Sequence, residues 1–138
     1  MECFAVPQLL YAASAYIEKG MYPEAISEAR RAKEISGGRS TYSEAFLGYA
    51  LAKSGNEVEA RSVLDGLSKF APERDFSSYE IALIYNGLGQ HEDALTSLER
   101  AFAEHNSAIV FLKVEPKWNN LRSNARFQDL LRRAGLSE

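Results

Sequence analysis

Two histidines, one cysteine and a scatter of acidic pairs are the residues of this chain with chemistry to offer. His91 and His105 could ligate a metal or move a proton, but they stand at the two ends of one expected helix, 14 positions apart. That is about four helical turns, beyond the reach of a shared ion. No Cys-x-x-Cys, His-Glu-x-x-His or EF-hand spacing occurs, and those spacings are what would converge ligands on one point. Cys3 has no neighbouring histidine to draw off its proton, so nothing activates it as a nucleophile. A single cysteine also excludes an internal disulfide, which fits a reducing compartment. Glu24/Glu28 and Glu57/Glu59 read as solvated faces. The glycines form neither a phosphate-cradling loop nor a dinucleotide fingerprint. No catalytic site, metal site or cofactor is expected, and the chain reads as something other than an enzyme.

The elements that would carry any site follow from an internal repeat. Gly20, Gly55 and Gly89 are spaced by 35 and 34 residues, and each is followed at the same offset by an acid-alanine pair: Glu24-Ala25, Glu59-Ala60 and Asp93-Ala94. Small or apolar residues recur after each alanine (Ala29, Leu64, Leu98, then Ala32, Leu67, Ala101). Upstream, Ala13, Gly48 and Ala82 precede the glycines by seven residues, and Tyr16, Leu51 and Tyr85 by four. Alanine and glycine recur where two helices cross closely and only a small side chain fits. The larger residues lie three positions along the same face and fill the space beside that crossing. Glycine suits the left-handed residue that ends a helix. Apolar residues at three- and four-residue steps predict helices over 7–19, 22–35, 41–54, 57–70, 75–88 and 91–105. Thr41 with Glu44 reads as a capping box and Asp75 as an N-cap, while Ser36-Gly37-Gly38 and Ala71-Pro72 punctuate the junctions.

These positions resemble the tetratricopeptide (TPR) repeat. The second repeat matches best, with Leu47-Gly48, Leu51, Gly55, Ala60, Leu64 and Pro72. The first has Leu9 where a tryptophan is usual and Gly37 where proline is usual; the third has Ile81-Ala82, Tyr85, Gly89, Ala94 and Leu98, with Asn106 in place of proline. The resemblance implies an all-α, right-handed α-solenoid of three helix-turn-helix hairpins. It divides the single domain 1–138 into repeats 6–39, 41–74 and 75–108 and a capping segment 109–138.

The tail departs from the repeat. Ser107 is expected to cap a short helix through Phe111, and a final amphipathic helix is expected near 124–134, ended by Gly135. Its apolar stripe is Phe127, Leu130 and Leu131, with Arg126, Arg132 and Arg133 facing outward. A stacked array needs such a cap, and Trp118, Phe127 and Leu130 are expected to supply it. The phrase from Leu121 to Leu131 also resembles the closing segment of TPR regions in bacterial multidomain signalling proteins, with Asn124-Ala125 where those tails have Asp-Pro. That second resemblance implies a piece of a larger regulator, with Phe4-Ala5-Val6-Pro7 packed on a preceding domain.

Charge narrows the partner. Residues 1–108 carry 10 Lys+Arg against 16 Asp+Glu, and residues 109–138 carry 6 against 3, so −6 and +3 make up the net −3. Neither part is the concentrated basic face that nucleic acid requires. No window approaches the roughly 18 apolar residues of a membrane span, and no basic stretch leads into an apolar run at the N-terminus. A soluble, cytoplasmic chain is expected. The resemblance places a partner-binding groove on the first helix of each hairpin: Leu10, Ser14 and Ile17; Tyr42, Ala45, Tyr49 and Lys53; Phe76, Tyr79, Leu83 and Asn86. The carboxylate clamp of chaperone-binding TPR domains is missing, since the corresponding places hold Leu10, Ser14, Phe46, Phe76 and Glu80. An aromatic groove suits an apolar or amphipathic peptide or helix of a partner protein. Self-association as a homodimer and service as the intramolecular scaffold of a larger regulator are the alternatives. Trp118 or Phe111 folding into the groove is a further possibility that the pattern leaves open.

Overall fold

The computed structural model describes residues 2–37, 41–74 and 78–136, with the side chains of 2–5, 41 and 70–74 outside the description. Among the described residues every regular element is helical: α1 (Glu2–Glu18), α2 (Tyr22–Ile35), α3 (Thr41–Lys53), α4 (Glu57–Arg74), α5 (Ser78–Gly87), α6 (His91–Ala103) and α7 (Ala125–Arg133). Two 3-10 segments, Ser107–Phe111 and Pro116–Leu121, join α6 to α7. None of these helices is long and apolar enough to cross a membrane.

Each of the first three helix pairs is joined by the same backbone device. Gly20, Gly55 and Gly89 take φ of +75°, +93° and +79°, a region that a Cβ makes unfavourable. The next residue's N–H then reaches back to the carbonyl of Tyr16, Leu51 or Tyr85, at 2.8, 2.9 and 3.0 Å. This satisfies carbonyls that the helix end would otherwise leave bare. The chain reverses, and Ala25, Ala60 and Ala94 enter α2, α4 and α6 fully buried. His105 repeats the device without glycine: its φ is +60°, and the N–H of Asn106 bonds to Ala101 O at 3.0 Å.

The helices stack in sequence. α2 lies against α1 and α3, α4 against α3 and α5, and α6 against α5, while α3 also meets α1 and α5 directly. The small residues of the repeat set these approaches. A Cβ on Gly48 of α3 would stand 2.7 Å from Ile84 Cδ1 of α5 and 3.3 Å from Val63 Cγ1 of α4, so only glycine permits that crossing. Its register mates Ala13 and Ala82 are fully buried but keep their methyl groups.

Several expected boundaries move. α1 is described from Glu2 rather than residue 7 and contains Pro7; at the sixth position, past the first turn, proline forfeits one intrahelical hydrogen bond. α4 runs through Ala71-Pro72 to Arg74, so this pair does not end the helix. α3 already includes Thr41, and Glu44 pairs with Lys33 of α2 at 3.0 Å. Asp75 lies outside the described residues, as does Gly38 of the first junction. The cap of the first 3-10 segment is Asn106, not Ser107; its Oδ1 accepts from Ala108 N at 2.8 Å.

The C-terminal segment closes the stack. Trp118, Phe127 and Leu130 are fully buried, packed with Leu95 and Leu98 of α6 and Leu83 of α5. Each such side chain contributes about 1.5–3 kcal/mol by leaving water. Asn124 caps α7 by accepting from Arg126 N at 2.8 Å, and Gly135 follows it at φ +75°. Arg126 does not face outward as expected. It bridges to Glu92 and Glu99 of α6 at 2.9 and 2.6 Å. Arg132 is exposed and paired with Asp129, and Arg133 lies over the Phe102 ring, 5.2 Å from its centroid.

Candidate interaction face

α1, α3 and α5 carry the residues expected to meet a partner, and part of their shared face is taken by the chain's own tail. The second 3-10 segment lies across it. Glu115 starts this segment by accepting from Lys117 N at 3.2 Å. Arg122 fixes the segment from behind, donating to the carbonyls of Leu112 at 3.0 Å and Glu115 at 2.9 Å. Trp118 Nε1 donates to the Tyr79 hydroxyl at 3.0 Å, with the two rings edge to face at 5.6 Å. Asn86 Nδ2 donates to Lys117 O at 2.8 Å, and Asn86 and Asn120 exchange amide hydrogen bonds at 3.1 and 2.8 Å.

Lys117 is the electrostatic centre of this contact. Its side chain is 1% exposed, and its Nζ lies 3.2 Å from Glu18 Oε2 and 3.3 Å from Glu115 Oε1. It also donates to Ser14 Oγ at 3.1 Å and stands 4.9 Å from the Phe46 ring centroid. A buried ammonium needs such partners, because desolvation penalises the charged form.

The tail divides the face. On one side lies a cleft of about 450 Å³. Its walls are Pro7, Leu10, Tyr11 and Ser14 from α1, Tyr42 and Phe46 from α3, Tyr79 and Leu83 from α5, and Phe111 and Glu115 from the tail. Tyr11 is 77% exposed, Phe111 53% and Tyr42 40%, so the cleft has aromatic rims. On the other side is a recess of about 400 Å³ bordered by Tyr49, Lys53, Asn86, His91, Asn119 and Asn120. Here Asn120 Nδ2 meets His91 Nε2 at 3.4 Å. A larger hollow of about 760 Å³ separates α2 from α4. Two surface ion pairs line it, Arg30–Glu59 at 2.6 Å and Lys33–Glu44 at 3.0 Å, together with a further carboxylate, Glu34.

Carboxylates set the electrostatics of the face. The phenols of Tyr42, Tyr49 and Tyr79 are all held above the usual tyrosine range, chiefly by burial. Glu80 adds to the shift at Tyr42, and Glu18, Tyr22 and Glu115 add to it at Tyr49. At Tyr79 the hydrogen bond from Trp118 opposes the shift, while Glu115, Tyr42 and Glu80 reinforce it.

The expected groove residues therefore separate into groups. Leu10, Ser14, Tyr42, Tyr79 and Leu83 come together in the first cleft, and Tyr49, Lys53 and Asn86 in the second recess. Ile17 and Ala45 are buried in helix packing and border neither, and Phe76 lies outside the described residues. Tyr49 and Tyr79 are buried as well, with the Tyr79 hydroxyl engaged by Trp118. Pro7, Tyr11, Phe46, Phe111, Glu115 and Lys117 are contributors outside the expected groove set; the first three lie on α1 and α3 between its positions or before them, and the others lie in the tail. Trp118 is one of the two tail rings whose folding into the groove the pattern left open, and no repeat position marks Lys117 beside it.

Among the described residues no group of three or more His, Cys, Asp or Glu side chains is arranged to hold a metal. His91 opens α6, and His105 lies just beyond its end. Compared with protein-family models, curated proteins and solved structures, the chain matches none.

Proposed function

We propose that this chain is a TPR-type interaction module, a right-handed stack of three hairpins with a cap, which holds a peptide or helix of a partner protein in the cleft between α1, α3 and the tail. The observation that carries the reading is the aromatic rim of that cleft, where Tyr11, Tyr42 and Phe111 stay exposed around an apolar floor. Rings of this kind supply large contact area for little conformational entropy and are favoured anchors at interfaces. The identical glycine reversals and buried alanines of the three hairpins support the TPR assignment. The sequence from Leu121 to Leu131 supports a place in a bacterial regulatory assembly. No enzymatic role is proposed, because no nucleophile, base and orienting group come together among the described residues of this face.

A displayed library of random short peptides tests this reading. Selection should yield ligands whose binding is lost in Tyr42→Ser/Phe111→Ser while the circular dichroism spectrum is unchanged. Ligands indifferent to that pair, or no ligands at all, would remove the cleft as the site.

One observation favours a second reading. Val110, Phe111 and Val114 form an exposed apolar edge on the tail beside the cleft, suited to a second copy of the chain. Light scattering across a concentration series separates the two readings, since a constant monomer mass excludes self-association.

A further inference from the structure

We infer that the segment taken by the α1–α3–tail cleft is basic: an apolar peptide that places a lysine or arginine side chain among Tyr42, Phe46 and Glu115. This rests on the peptide-binding reading above and specifies its ligand.

The charge of the cleft is one-sided. Glu115 is the only ionisable carboxylate or cation in its wall, and no lysine, arginine or histidine borders it among the described residues. Lys117 stands against the Phe46 ring and already meets two carboxylates, Glu18 and Glu115. That one ammonium faces two carboxylates, of which Glu115 borders the cleft, so the charge left over there is negative. Glu115 keeps 25% of its side-chain surface in contact with solvent, so its carboxylate is open to an incoming cation. The phenols of Tyr42 and Tyr79 are raised chiefly by burial, with Glu80 adding to it at both and Glu115 at Tyr79.

The walls add a second attraction. A cation over an aromatic face gains from the ring quadrupole, more so when partly desolvated. The chain already makes such a contact on the inner side of Phe46 with Lys117 at 4.9 Å. Tyr42 lies beside the same ring, centroids 6.3 Å apart and tilted by 48°. A lysine or arginine stem lying along Leu10 and Tyr11 would bury its methylenes while its head reaches Glu115. An acidic segment would meet Glu115 with no lysine, arginine or histidine among the described residues of the wall to offset it, and like charges in such a place exclude a partner.

The test uses the full chain and the same displayed library of random short peptides. Cleft-dependent ligands, those lost in Tyr42→Ser/Phe111→Ser, should be enriched in lysine or arginine. Replacing that residue with norleucine in the synthetic peptide should weaken binding by roughly 10-fold or more, and Glu115→Gln should weaken the parent peptide by roughly 3- to 10-fold. Raising the salt concentration should weaken the parent peptide and leave the norleucine form unchanged. Cleft-dependent ligands that are neutral or acidic, or that tolerate the norleucine change, would overturn the inference and leave the peptide-binding reading standing. Failure to recover any cleft-dependent ligand would overturn both.

Discussion

Lys117 Nζ lies 3.2 Å from Glu18 Oε2, joining the tail to the first helix across 99 positions of chain. The same nitrogen reaches Ser14 and Glu115, so one ammonium bolts α1 to the segment that crosses α3 and α5. The tail thereby caps the last hairpin through Trp118 and also ties the first hairpin to that cap.

Lys117→Met keeps the aliphatic stem and deletes the charge. Glu18 and Glu115 lose their counter-ion but remain partly solvated, which moderates the penalty for breaking a buried pair. A loss of about 1–3 kcal/mol is expected, read as a lower urea midpoint by circular dichroism. An unchanged midpoint would show that the bolt carries no net stability.

Gly48→Ala should destabilise the fold by about 1–3 kcal/mol, the usual range for overpacking a core. Alanine occupies the equivalent places of the other two hairpins, so propensity alone argues the opposite. The difference is Ile84, whose Cδ1 would stand 2.7 Å from the new methyl. In the double variant Gly48→Ala/Ile84→Ala the two penalties should fall short of their sum, as measured by a double-mutant cycle.

His105→Gly should stabilise the chain by roughly 1 kcal/mol, because His105 holds a left-handed φ of +60° that glycine adopts without strain. The side chain is exposed, so little packing is lost with it. A higher urea midpoint checks this; a lower one would mean that the imidazole contributes more than the backbone strain removes.

Alkaline pH should weaken the fold through its inner-face phenols. Tyr42, Tyr49 and Tyr79 have pKa values raised above the ordinary one. A raised phenol contributes stability that is fully present below the unfolded pKa of about 10 and is lost as pH rises toward the folded value. The urea midpoint should therefore be insensitive to these groups below about pH 10 and fall above it. Tyr49→Phe should make the fall shallower. An equal decline in the wild type and in Tyr49→Phe would place the sensitive group elsewhere.

Local signals account for most of what the sequence disclosed. A glycine at each hairpin reversal, an alanine or glycine at each close crossing and an apolar stripe on α7 are all decided within a few residues, and they locate the α-helices of the described residues to within about five positions. The 3-10 cap fell on Asn106 rather than its neighbour Ser107 because both side chains can accept from the same backbone, and pattern cannot separate them. Pro72 was read as a break, yet α4 continues past it. The inner face was harder to read. Trp118 meets Tyr79 across 39 positions and Lys117 meets Ser14 across 103, and no periodicity announces contacts so distant in sequence. Tyr49 and Tyr79 consequently looked like open anchors, whereas the tail and helix packing bury them. Of the rings on the cleft rim, Tyr42 belongs to the expected groove, whereas Tyr11 and Phe111, which are more exposed, lie outside the repeat register.

The cleft is tested most directly by titrating a library-selected peptide into the isotope-labelled chain and following its amide resonances. The expected shifts cluster around Tyr11, Tyr42, Phe46 and Phe111, with those of α2 and α4 unmoved, and they disappear in Tyr42→Ser/Phe111→Ser. Shifts confined to α2 and α4, or persisting in that variant, would contradict a partner seated between α1, α3 and the tail.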